Sequence, residues 1–260
     1  MTAAAGGPTG VGDVGAFLAR LLRLDAAAVV RLRPEPDGAG TALWARLPWE
    51  VLVTRLVVGG PGQDVTVSAA ELLATVASGP VSWWSASAGG APAAGSGVVA
   101  GGDGTPLARR DADWRWTLPP TDAVLVDQVP VDAVRRIADA AASAMREARA
   151  RGSVGDRKLR DALLDHVAVT VQPDSSAGMG IEPVELSQRL IQAIVRMGFL
   201  GGSDGEPGAT VRVRVAGQWV ELAAAYGSAW IRRSGRFKLN THIVHTFGQP
   251  VVAPPVRQLT

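Results

Sequence analysis

At 260 residues, 47% of them hydrophobic and 19% charged, the chain lies in the ordinary globular range and can bury a sizeable core. It has no cysteine, which excludes disulfides and thiolate metal sites. No apolar run approaches the roughly 18 residues of a membrane span, because Arg55, Glu71 and glycines interrupt the longest ones.

The formal net charge is +2, and Lys158 and Lys238 are the only lysines among 26 basic residues. That bias, with abundant Ala, Gly and Val, reads as GC-rich coding of an actinobacterial kind, so arginine content alone is no argument for an anionic partner. Residues 1–127 hold nine basic and twelve acidic residues, a net −3, and residues 128–260 hold seventeen and twelve, a net +5. So small an asymmetry is not the electrostatic signature of a nucleic-acid binder.

Residues 1–12 are rich in Gly, Ala and Pro and lack the basic and apolar regions of a signal peptide, so they read as a disordered tail on a cytoplasmic protein. A helix is expected over 13–24, with Asp13 at its start and Val14, Phe17, Leu21 and Leu24 on one face. The period then falls to two, predicting strands over 29–33, 41–47 and 51–58. Ser68 and Glu71 form a capping box for a helix to Ala77, which Gly79-Pro80 ends. Short aromatic strands are expected at 81–85 and 113–118, separated by an aperiodic Gly/Ala/Ser-rich loop at 86–112.

Residues 122–128 read as an edge strand or an extended connector, and 132–151 as a long amphipathic helix stopped by Gly152. A helix over 156–165, a strand over 167–171, a loop over 173–180 and a helix over 183–198 follow. Strands over 211–215 and 218–222 form a hairpin, with further strands at 229–233 and 242–247 and a tail over 251–260. No internal repeat is legible. The fold class expected is α+β, an antiparallel sheet flanked by helices in 13–151, with a smaller mixed α/β domain over 152–250.

Chemistry-bearing residues do not converge. His242 and His245, three apart on an expected strand, face opposite sides. Asp161 and Asp165 share a helix face beside His166, an arrangement usual for a solvated helix end. Neither glycine string, 95–104 or 201–208, has the ending of a phosphate loop. No catalytic site, metal or cofactor is therefore expected. Tryptophan is more informative: Trp83 and Trp84, with Trp114 and Trp116, flank one loop and make either an aromatic core or a groove for a protein partner.

The helix over 183–198 carries Arg189, Gln192 and Arg196 outward, and the strands after it carry Arg212 and Arg214. Over 156–233 this pattern resembles a winged-helix DNA-binding domain, with a loop at 173–180 where that family has a helix; the resemblance implies that these five residues contact DNA. Over 13–151 the order α-β-β-β-α-β-β-α is similar to small secretion-chaperone-like domains, which implies a dimerising protein binder. The leading expectation is a non-enzymatic adaptor that binds a protein partner or its own copy, with DNA binding as the alternative, an enzyme with a carboxylate-based site at Asp161 and Asp165 as a distant third, and no membrane association.

Overall fold

The computed structural model describes residues 11–36, 38, 40–79, 98–100, 106–152, 156–172, 182–202 and 208–233. The strands expected at 81–85 and 242–247, the loop at 173–180, the tail at 251–260 and nearly all of the tail at 1–12 lie outside them.

Helix α1 spans Val11–Leu24, with Asp13 in its first turn and Arg23 in its last, each the favourable charge for that end of the helix dipole. Val14, Phe17, Leu18 and Leu21 form its fully buried stripe. Strands β1 (Val29–Pro34), β2 (Thr41–Arg46) and β3 (Leu52–Val57) make an antiparallel meander, and β4 (Val65–Ser68) returns along the free side of β1. Helix α2 (Ala69–Ala77) starts where the Ser68 hydroxyl accepts from the Glu71 N–H at 3.5 Å.

Strands β5 (Val98–Ala100) and β6 (Pro106–Ala108) pair with each other inside the span expected as a loop. The aromatic strand expected at 113–118 does not form. A turn of 3₁₀ helix at Asp111–Asp113 is followed instead by an extended strap reaching strand β7, Val124–Pro130. Helix α3 (Val131–Arg151) ends at Gly152, whose φ of 67° places it in the left-handed region of a helix stop.

Helix α4 (Asp156–Asp165) leads into β8 (Val167–Val171), which pairs with β9, Val184–Ser187. The helix expected over 183–198 is thus shorter. Val184 and Leu186 are buried while Glu185 between them is exposed, so the segment satisfies a strand, and helix α5 occupies only Gln188–Arg196. Strands β10 (Thr210–Ala216), β11 (Trp219–Ala224) and β12 (Gly227–Arg232) complete the order as a second meander.

Eight strands form one antiparallel sheet in the order β4-β1-β2-β3-β12-β11-β10-β7. The order reads alike from either edge. Helix and meander α1-β1-β2-β3 meets helix and meander α5-β10-β11-β12 where the two last strands pair, Thr54 opposite Ser228 and Leu52 opposite Trp230. Strands from both expected units, 13–151 and 152–250, therefore lie in one sheet.

One face of the sheet and the helices enclose a single large core drawn from both meanders, among them Leu32, Leu43, Val53, Val213 and Leu222 with Leu190, Ile191 and Ile194 of α5. Phe17 of α1 stacks on Phe199 after α5, ring centroids 6.3 Å apart. At the other end Trp49 and Arg189 are tied twice. The Trp49 indole N–H donates to the Arg189 carbonyl at 3.1 Å, and Nη1 of Arg189 donates to the Trp49 carbonyl at 2.9 Å.

Candidate functional site

The second face of the sheet differs in chemistry. A register row across the strands runs Arg31, Trp44, Thr54, Ser228, Ala223 and Arg212. These positions alternate with core residues, so strand geometry alone sends them to this side. The strap of residues 114–123 lies over it, and Trp114, Leu52, Ala216 and Trp230 make a small second cluster with Trp44, Trp116 and Trp219 packed around it.

The two tryptophans of the strap meet edge to face at 5.3 Å, and the Trp114 indole N–H donates to the Trp116 carbonyl at 2.8 Å. Guanidinium groups from the sheet sit over both rings, Arg31 at 5.8 Å from Trp114 and Arg46 at 4.9 Å from Trp116. Arg31 is also clamped by Asp64, Nε to Oδ1 at 2.7 Å and Nη2 to Oδ2 at 2.8 Å, and these bonds raise its pKa against the opposing effect of burial. At the strap's far end Nη2 of Arg214 donates to the Ala123 carbonyl at 2.9 Å, while Nη1 meets the buried Glu221 carboxylate at 2.9 Å. Burial pushes the Glu221 carboxyl up, outweighing Arg214, Ser228 and Arg212.

A shallow cleft of about 210 Å³ opens where the strap meets the turn between α1 and β1, lined by Asp25, Val29, Arg46, Arg110, Asp113 and Trp116. It is the size of one large side chain. Its arginines are held by exposed carboxylates, Arg46 by Glu50 at 3.0 Å and Arg110 by Asp113 at 2.6 Å, and such pairs exchange readily with solvent or a ligand. An indole face beside exchangeable guanidinium groups suits binding.

Of the residues expected at a protein-binding groove, Trp114 is buried and Trp116 half-buried, on one strap, while Trp83 and Trp84 lie outside the described residues. The five expected DNA contacts are scattered. Arg189 donates to Asp165 at 2.6 Å and to Trp49, Arg196 lies over Trp49 at 5.6 Å and donates to Gln192 at 3.2 Å, and Arg214 is held inside the sheet. Arg212 projects from β10 with two buried guanidinium nitrogens that make no hydrogen bond. Asp161 is exposed, and Asp165 serves Arg189. Among the described residues no three His, Asp or Glu side chains gather as metal ligands, and no helix is long and apolar enough to cross a membrane. Sequence reasoning missed Arg31, Arg46 and Glu221. The alternation Arg31/Arg33 and Trp44/Arg46 put them on one strand face, but nothing in it says that a strap covers that face.

An eight-stranded antiparallel sheet built from two helix-and-meander units defines a clamp-like α+β fold, and the solved structures it resembles agree. A DNA polymerase sliding clamp from Pseudomonas aeruginosa superposes with a TM-score of 0.52 at 14% identity over 87% of this chain and 64% of the clamp. The Caulobacter crescentus sliding clamp gives 0.51 at 14% identity over 90% and 67%, and the DNA polymerase beta subunit of Streptococcus pyogenes 0.52 at 12% identity over 86% and 63%. The likeness is one of fold, and the chain spans about two thirds or less of each relative. In sequence, residues 4–94 match the family described as "Domain of unknown function (DUF8010)" and residues 118–236 the family described as "Domain of unknown function (DUF8185)". No curated protein matches.

These neighbours overturn both resemblances drawn from sequence. The secretion-chaperone order fails because β4 returns to β1 and the meander continues through β3 into β12, so its strands belong to an eight-stranded sheet shared with residues 210–232. The winged-helix pattern fails because the hairpin β10–β11 is flanked on both sides, by β7 and by β12, and so is the interior of a sheet and not a free wing. The helix before it buries Gln188, Leu190, Ile191, Ala193 and Ile194 in the core.

Proposed function

We propose that the protein is a non-enzymatic cytoplasmic scaffold of clamp-like fold that binds a protein partner, or a second copy of itself, through the aromatic strap around Trp114 and Trp116, with no cofactor. The observation behind this reading is the strap's composition. The Trp116 indole and the guanidinium groups of Arg46 and Arg110, residue types that dominate protein-interface energetics, line a cleft of one side chain's volume on a fold that sliding clamps share. Trp83 and Trp84 are assigned to the same surface on sequence alone, and the two sequence units keep their proposed boundaries, 13–151 and 152–250.

Analytical ultracentrifugation of the wild type and Trp116→Ala, paired with affinity capture from nuclease-treated host lysate, tests it. Either a concentration-dependent dimer or one stoichiometric partner is expected, and Trp116→Ala loses it. A strict monomer with no stoichiometric partner, or capture indifferent to the substitution, ends the reading. DNA as the partner is a second reading, favoured by the sliding-clamp fold and by exposed Arg136, Arg146 and Arg151 on α3. A gel-shift series starting at about 50 mM salt decides it, since phosphate contacts bind any sequence there.

A further inference from the structure

We infer that both edges of the eight-stranded sheet are closed to strand addition, so that the protein's assembly, with itself or with a partner, uses surfaces other than a sheet edge. The inference does not need the strap reading. An antiparallel sheet ends in two rows of backbone N–H and C=O groups that any extended chain can pair with, and stable proteins block them.

At the first edge, β4 is four residues long, and its central outward pair is already spent. The Thr66 N–H donates to Asp111 Oδ1 at 2.7 Å, and the Thr66 carbonyl accepts from the Arg110 N–H at 2.7 Å. One residue of the passing chain thus supplies a side-chain acceptor and its neighbour a backbone donor, the two bonds that an added strand would make there.

The second edge, β7, is longer and protected by three separate devices. The register against β10 slips between Val213, opposite Asp127, and Arg214, opposite Leu125, so Val126 is an extra residue and the strand bulges there. The Val131 N–H faces inward to the Ala209 carbonyl, so by alternation the N–H positions of residues 128 and 130 face outward. The Gln128 N–H is taken by the carboxylate of Asp127 at 2.6 Å, and residue 130 is proline, which has no N–H to give. Beyond the bulge, therefore, this edge has no outward donor left. The exposed Val124 and Leu125 before the bulge are too few to register a strand by themselves.

The experiment opens β7 and asks whether copies then pair. Asp127→Val with Pro130→Val restores two donors and removes the charge; Asp127→Asn alone is a milder form that keeps an acceptor. Because the chain has no cysteine, Gln128→Cys, exposed and level with the two opened donors, carries a single spin label in each background. With the guards intact, no label–label distance below about 20 Å is expected, since strands paired across an edge lie about 4.8 Å apart. In the double variant a short distance and a concentration-dependent rise in mass are expected, with a smaller rise in Asp127→Asn. A short distance in the wild-type background, or a folded double variant with neither change, overturns the inference. If the double variant does not fold, Asp127→Asn decides by the same two readings.

Discussion

Glu50 is the one described non-glycine residue with a positive φ, 69°, in the turn that joins β2 to β3. A side chain in that region costs about 1 kcal/mol, whereas glycine adopts it freely. Glu50→Gly gives up an exposed ion pair with Arg46, worth a few tenths of a kcal/mol, and is expected to gain about 0.5 kcal/mol net in urea unfolding. Glu221 makes the second residue-level prediction. Burial holds its carboxyl above the ordinary value of 4.5, so the folded chain keeps a proton that the unfolded chain releases. Its contribution is fully present below about pH 4.5 and is lost as pH rises through the folded value. Glu221→Gln should therefore show a shallower decline of stability with pH just above 4.5 than the wild type, in denaturant melts at successive pH values. Identical slopes would mean that the Arg214 contact offsets the burial.

Among the elements, the strap is the least legible from sequence and the most informative. Its outer end hangs on Asp111. Burial raises that carboxyl's pKa, but the Thr66 N–H, Arg109 and Arg31 more than reverse it, so the net shift is downward. A depressed carboxylate contributes stability above its unfolded value of 3.8 and loses it as pH falls through the folded one. Asp111→Ala should cost about 1 kcal/mol near neutral pH, speed exchange of the Thr66 amide, and redden tryptophan emission as Trp114 gains water. Unchanged exchange at Thr66 would show the strap is held elsewhere. The same elements explain which parts of the fold sequence can announce. Periods of 3.6 and 2 locate α1, β1, α3 and the β10–β11 hairpin, because each buries one regular face. They miss β4 and β9, four residues apiece, whose Val-x-[Val/Leu]-Ser patterns at 65–68 and 184–187 are too short to separate from the helices that follow. They also assign Trp114 and Trp116 to a strand, because an extended strap alternates like one without pairing in register with another strand. The doubled helix-and-meander plan is hidden for a different reason: four residues join α1 to β1 but thirteen join α5 to β10, so no constant spacing exists to detect.

At the scale of the whole molecule, two helix-and-meander halves meet within one sheet, and the contacts at the seam say how the halves behave. β3 and β12 pair at the centre, Trp49 and Arg189 exchange two hydrogen bonds, and Phe17 stacks on Phe199. Gly227 sits under that stack with φ of 150°, and a Cβ there would lie 2.7 Å from the Phe199 ring. Phe199 is fully buried between α1 and the second meander and has nowhere to retreat. Gly227→Ala therefore combines a backbone penalty with overpacking, and about 2 kcal/mol or more of destabilisation is expected. The informative reading is where that loss appears. If the seam makes the chain one cooperative unit, calorimetry gives a single transition. Amide exchange in β1 and β2, which are remote from residue 227 in the sheet, should then accelerate by the same factor as in β10 and β11. If acceleration is confined to β10–β12, or if two transitions separate, the halves fold on their own and the shared sheet is a docking surface between them. The first outcome follows from the core: Phe17, Leu43 and Val53 from one half and Leu190, Val213 and Leu222 from the other bury one continuous apolar surface, and neither half can expose its share without losing most of what stabilises it.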